Sequence, residues 1–258
     1  MIIVSPSNID NVEANLLSLS IVIMPLRGSR APGNPVITAI SASAFASGTW
    51  ALNYLVSQVD LPPHLAGGGH WQFLTNLSLL FTLVVLFIGV IAHITKSASL
   101  FNLKNNLHPI ALVLECVVTT VYWPLKLFFL HLLVKDPTRK MIPLVVDLCL
   151  HLVPVVSLLV DYIFFMPKWT ITNWTALATC LVLTTLYWVL LKQLVDFENG
   201  GEYPYMFLNV DNEATRILIF QVVGLVGFAS FLFFKKVYDL VVHPEVEKIE
   251  ETKLKKNL

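Results

Sequence analysis

Six apolar stretches, each long enough to cross a bilayer as a helix, constrain this chain more than anything else in it. They run over about Val36–Val59, Trp71–Ile94, Pro109–Val134, Ile142–Phe165, Ile171–Leu194 and Thr215–Val237. Crossing the hydrocarbon layer takes about 20 apolar residues in a helix. Lipid offers no hydrogen-bond partner, so a spanning backbone must satisfy itself within a helix or a closed barrel. Barrel-type alternation and internal repeats are both lacking. The pattern therefore predicts an all-α, polytopic integral membrane protein with about six transmembrane helices. Charge agrees: 13% of residues are charged, against about 25% in a soluble domain.

Three segments follow. Residues 1–35 read as an N-terminal cytosolic or interfacial segment, because "NLLSLSIVIMPL" is apolar for only about a dozen residues before Pro25 and is too short to span. Residues 36–240 hold the six-helix transmembrane domain, and 241–258 a charged cytosolic tail. In the first span, Ala42 with Ala46 and Ser43 with Ser47 are small residues four apart, suited to close helix packing. Seventeen basic residues balance seventeen acidic ones and lie between apolar segments, which excludes the basic footprint of a nucleic-acid binder. Cys116, Cys149 and Cys180 each fall inside an apolar run, with neither a disulfide framework nor zinc-type spacing.

Lys and Arg near the span ends set orientation. With both termini cytosolic, Arg27, Arg30, Lys96, Lys104, Lys168, Lys235 and Lys236 face the cytosol, while the last opposite loop is acidic. Lys135, Arg139 and Lys140 dissent. The chain ends "KLKKNL", and Lys255 and Lys256 resemble a dilysine retrieval signal. This makes coat-type retrieval machinery a candidate partner and the endoplasmic reticulum membrane the expected location; a solvated charge run is the plainer reading. The sequons at Asn76 and Asn173 are expected to carry no glycan, one being inside a span and the other cytosolic.

An ionisable group inside a span is a functional candidate, because lipid penalises it when unpaired. The fourth stretch, "VVDLCLHLVPVVSLLVDY", carries most of them. Asp147 and His151 are four apart and share a helix face, so the carboxylate can fix the imidazole tautomer. Pro154 loosens the helix beside them, and Asp161 is placed near the interface. A packing hydrogen bond or an ion path would use the same pair. Thr75 opens the second span after "GGGHWQFL"; alone, such a threonine usually bonds back to its own helix. Thr75 and His151 lie at depths of about 6 Å and 9 to 15 Å from the same side. If they meet, His151 can take the hydroxyl proton while Thr75 attacks a carbonyl carbon. Backbone N–H groups of Gly67, Gly68 and Gly69 could then face the oxyanion, although three glycines more simply make a turn.

Three stretches in order resemble signatures of the androgen-induced membrane hydrolases, the family that includes the androgen-dependent regulator of tissue factor pathway inhibitor. They are Gly68, Gly69, Trp71, Leu74 and Thr75; His151 with Asp161 ten residues on; and Tyr203 with Pro204 before the last span. Where family members place small polar residues after the histidine, this chain has Leu152 and Val153. The resemblance implies an intramembrane hydrolase of lipid esters, acting on fatty acid esters of hydroxy fatty acids. Thr75 would be its nucleophile and His151 its base, with no cofactor and no metal. Asp147 is assigned by helical spacing alone. Arg216 is a candidate for holding a fatty-acid carboxylate. Glu115 is expected to pair with a neighbouring helix, Lys126 to extend to the interface, and Trp71, Trp123, Trp169, Trp174 and Trp188 to act as interfacial anchors. A non-enzymatic membrane protein that binds or transports lipid is the alternative.

Overall fold

A computed structural model describes residues 30–136 and 142–256. The apolar run before Pro25, Arg27, Arg139 and Lys140 lie outside the described residues, as do the side chains of Lys255 and Lys256. Seven helices carry the fold: α1 Pro35–Gln58, α2 Leu74–Thr95, α3 Ala98–Phe128, α4 Leu144–His151, α5 Val153–Phe165, α6 Asn173–Leu194 and α7 Glu213–Lys256. Six candidate spans result, α4 and α5 together making the fourth. The described residues contain no strand. The protein is an all-α membrane protein, with its first and last spans starting and ending at the same end of the bundle.

Local chemistry sets the boundaries. Asn34 caps α1 by accepting from Val36 and Ile37 N–H, with Pro35 in the first turn, where its missing N–H costs nothing. Lys96 takes the left-handed conformation that closes α2, and Ser97 and Thr172 cap α3 and α6. One-turn helices at Pro63–Ala66, His70–Gln72 and Met206–Leu208 shape the loops at the end remote from the termini.

Three spans differ from the sequence expectation, the sixth because α7 continues past Val237 to Lys256. The third span starts at Ala98 rather than Pro109 and ends at Phe128, with Pro109 and Pro124 inside it. Proline at a helix start is the usual reading, but membrane helices tolerate it internally when neighbours satisfy the freed groups. Lys104 therefore sits inside the bundle, 2% exposed, and its Nζ lies 2.7 Å from Asp161 Oδ2. Neither is the interfacial charge expected, and Lys104 drops out of the orientation argument. The fourth span breaks at Leu152, two residues before Pro154.

Helix α3 is central, packing on α2, α5 and α7, while α1 covers α2, α4 and α5. The close face of α1 is Ser41, Ala44, Gly48 and Ala51, displaced from the small-residue pairs expected. A Cβ on Gly48 would come within 2.9 Å of Leu83, so α1 and α2 approach to the limit glycine permits. Trp169 is no anchor: it is buried, stacked on Tyr162 at 3.9 Å and on Phe231 at 5.5 Å. Arg30 closes that aromatic cluster, donating to the carbonyls of Met166 and Ile163 and to Tyr238 OH. Burial pulls its guanidinium below the usual range.

Candidate active site

Thr75 sits in the first turn of α2, just past a loop turned by Gly69 (φ 62°). His151 ends α4, where the break at Leu152 leaves its carbonyl without a helical partner. Thr119 of α3 donates to that carbonyl at 2.5 Å, tying the loosened turn to the central helix. The break and the shallow start of α2 bring the two side chains together, with Thr75 Oγ1 3.5 Å from His151 Nε2. That is at the outer edge of a hydrogen bond, and such pairs tighten when substrate binds.

Asp147 is fully buried one turn before His151, and its Oδ1 lies 2.8 Å from His151 Nδ1. His151 Nδ1 is hydrogen-bonded to the Asp147 carbonyl at 3.1 Å, and an N–H there, beside the carboxylate, leaves Nε2 as an acceptor facing Thr75; the tautomer is inferred from this network. The carboxylate is held in turn by Tyr122 OH, which donates at 2.6 Å, and by an ion pair with Lys126. The Tyr122 ring lies flat on the imidazole at 3.5 Å between centroids and 1° between planes. Lys126, expected to reach for the interface, instead neutralises Asp147.

Two cavities meet at Thr75. One is a chamber of about 560 Å³ at the end remote from the termini, lined by polar groups including His64, His70, Asn76, Lys135 and His151. The other is a narrow apolar groove of about 120 Å³ between α3, α6 and α7. Thr75, Tyr122, Leu133 and Tyr205 line both. Tyr205 comes from the loop before α7; its hydroxyl accepts from Leu74 N–H at 3.1 Å and is hydrogen-bonded to Thr75. Burial raises its phenol above the usual range, so it stays protonated at neutral pH.

The other sequence candidates are committed elsewhere. Gly69 N–H donates to Leu65 and Ala66 carbonyls, so it is not free for an oxyanion, and neither it nor Gly68 lines a cavity. A Cβ on Gly68 would strike Gln72 at 2.8 Å, which gives that glycine a packing reason. Arg216 donates to the carbonyls of Leu208 and Val210 and pairs with Glu213. It staples the loop that carries Tyr205 and is not brought to Thr75. Glu115 accepts from Ser78 and Thr82, both at 2.8 Å. No group of three or more potential metal ligands occurs among the described residues.

Residues 36–239 match the family described as FAR-17a/AIG1-like protein. The chain belongs to that family. Its relatives include a UPF0641 membrane protein of Saccharomyces cerevisiae, 33% identical over 76% of this chain and 88% of its own length. A second, from Schizosaccharomyces pombe, is 28% identical over 73% of this chain and 84% of its own. No solved structure matches. The match spans all six helices of this FAR-17a/AIG1-like chain and begins one residue after Pro35, so residues 1–35 lie before the shared unit.

Sequence reasoning passed over Tyr122 and Tyr205. A single aromatic in a span, such as Tyr122, reads as an anchor, and Tyr205 lies in a loop with no local mark of its approach to Thr75. The available signal was spacing: Glu115, Tyr122 and Lys126 fall on one face of α3 with Lys104 and His108.

Proposed function

We propose that this protein is an intramembrane hydrolase of lipid esters, with fatty acid esters of hydroxy fatty acids as the substrate class. The observation behind the reading is the Thr75–His151–Asp147 relay set where a wide chamber of mixed lining meets an apolar groove. His151 Nε2 takes the Thr75 proton as Oγ1 attacks the ester carbonyl, and returns it to the departing alcohol. Water from the chamber, deprotonated by His151, then cleaves the acyl-threonine and releases the acid. Tyr205 OH is the nearest neutral donor for the oxyanion. Asp147 holds the imidazole and stabilises its charged form. The protein acts in the endoplasmic reticulum membrane with both termini cytosolic, retrieved through Lys255 and Lys256.

The test is hydrolysis of a branched fatty-acid ester by purified protein, alongside labelling with a fluorophosphonate probe. Thr75→Ala is expected to abolish both. His151→Ala is expected to slow hydrolysis by about 100- to 10,000-fold in protein that still elutes as a single folded species. Hydrolysis surviving Thr75→Ala would remove the threonine nucleophile, and ester binding at full affinity without turnover would leave the lipid-binding reading in its place.

A further inference from the structure

We propose that the apolar groove between α3, α6 and α7 is an acyl-chain site: a single straight chain lies in it with its carboxyl carbon at Thr75. This rests on the ester-hydrolase reading and extends it by assigning the acyl arm of the substrate to the groove and the alcohol arm to the chamber.

Three helices give the same measure of length. The lining runs from Tyr122 down to Pro109 on α3, about 20 Å of rise, and about 17 Å each from Tyr187 to Ala176 on α6 and from Phe220 to Phe231 on α7. That is the reach of a long-chain acyl group held straight. Small residues Ala176, Thr179 and Cys180 line it on α6, while Gly224 and Gly227 let α7 close on it, since a Cβ there would meet Thr184 at 3.0 Å and Val113 at 3.3 Å. Its floor is inside the bundle, with Val113, Val117, Ala176, Phe220 and Phe231 buried, and its rim is half-exposed at Ile110, Leu114, Leu183 and Val223, which lets a chain enter sideways from lipid.

Position relative to Thr75 sets the orientation. The groove has one end at Thr75, Tyr122 and Tyr205, and the other at Ile171, Ala176 and Phe231. Its narrowness and apolar walls keep it dry and suit one unbranched chain. The wider chamber, largely apolar but with His64, His70, Asn76 and Lys135 in its wall, suits the hydroxy-acid arm and admits the water needed for deacylation. The arm that remains on Thr75 after the alcohol leaves is the one the groove holds.

Photo-crosslinking tests this without requiring turnover. The His151→Ala protein in vesicles of unlabelled phosphatidylcholine would be exposed to two palmitic acid probes, with a diazirine at the chain terminus or next to the carboxyl. The terminal probe is expected to label Ile171, Ala176, Thr179 or Phe231. The proximal probe is expected to label the Thr75, Tyr122 and Tyr205 region. Val117→Trp, placed midway, is expected to cut terminal labelling at least about tenfold while proximal labelling persists, which also shows that the variant is folded. Labelling confined to outward residues such as Trp50, Leu186 and Phe233, or terminal labelling inside the chamber, overturns the groove assignment. If the groove is labelled as expected yet wild-type protein hydrolyses no ester, the acyl site stands and the hydrolase reading fails. If Thr75-dependent hydrolysis is seen with the groove unlabelled, the reverse holds.

Discussion

The Asp147 carboxylate accepts from Tyr122 OH and Lys126 and lies 2.8 Å from His151 Nδ1, which bonds to the Asp147 carbonyl. A buried carboxylate is tolerated only when paired and hydrogen-bonded, so the partners that make it possible also fix the imidazole. The two tyrosines at the site should then differ in kind. Tyr122→Phe keeps the ring stacked on His151 and removes one supporting hydrogen bond, worth about 0.5–1.5 kcal/mol, so hydrolysis should fall only about 2- to 12-fold. Tyr205→Phe removes the proposed oxyanion donor and should lower kcat by about 100- to 1,000-fold. Steady-state kinetics on both variants decide this; equal losses would mean that Tyr205 only packs. The residues that meet here were partly legible in the sequence. Asp147 and His151 are four apart on one helix, a local relation that spacing states outright. Their meeting with Thr75 depends on the break at Leu152. The contributions of Tyr122 and Tyr205 depend on tertiary approach, which leaves no local trace. Arg216 and the glycines showed the converse, since a plausible donor in sequence was already satisfied by nearby carbonyls or side chains.

Along α3, polar groups form a stripe through an apolar helix: Lys104, His108, Glu115, Tyr122 and Lys126. Reading Pro109 as a helix start cut the stripe in two and placed Lys104 in a loop, which hid its periodicity. Its lower part is a buried cluster. Lys104 pairs with Asp161, and His108 Nε2 stands 3.8 Å from the same carboxylate while also bonding to Leu158 carbonyl at 3.1 Å. Removing one partner of such a pair strands the other charge, at a cost of about 3–5 kcal/mol, whereas replacing both with apolar residues can be nearly neutral. Lys104→Met should therefore lower thermal stability in detergent sharply. The double variant Lys104→Met with Asp161→Leu should recover most of the loss. A double variant no more stable than the single one would mean that His108 needs the carboxylate independently.

At the scale of the whole molecule, the chamber, Thr75 and the relay all gather at the end of the bundle where α1, α3 and α6 finish and α2, α4 and α7 begin. For the proposed hydrolase, the compartment that end faces decides where water would enter and where the freed acid would leave. Charge is an uneven guide once the boundaries are known. Lys126, Lys135, Lys192 and Arg216 at the site end are each paired with an acid, whereas orientation depends on counting Lys and Arg near span ends whatever their partners. The number and type of spans followed from apolar length alone, but their sidedness does not, because Lys104 and Lys126 both moved from the solvent ledger into the bundle. Glycan acceptance settles sidedness directly. Asn199 lies in an exposed turn of the long loop before α7, so a flexible Gly/Ser insert carrying an acceptor Asn between Asn199 and Gly200 should be glycosylated in cells. The native sequon at Asn173 opens α6 at the other end of the bundle, with its Oδ1 accepting from Lys235, and should stay unmodified. An endoglycosidase-sensitive mobility shift for the insert and none for Asn173 places the chamber in the lumen. The opposite pattern reverses the bundle and puts ester hydrolysis on the cytosolic face.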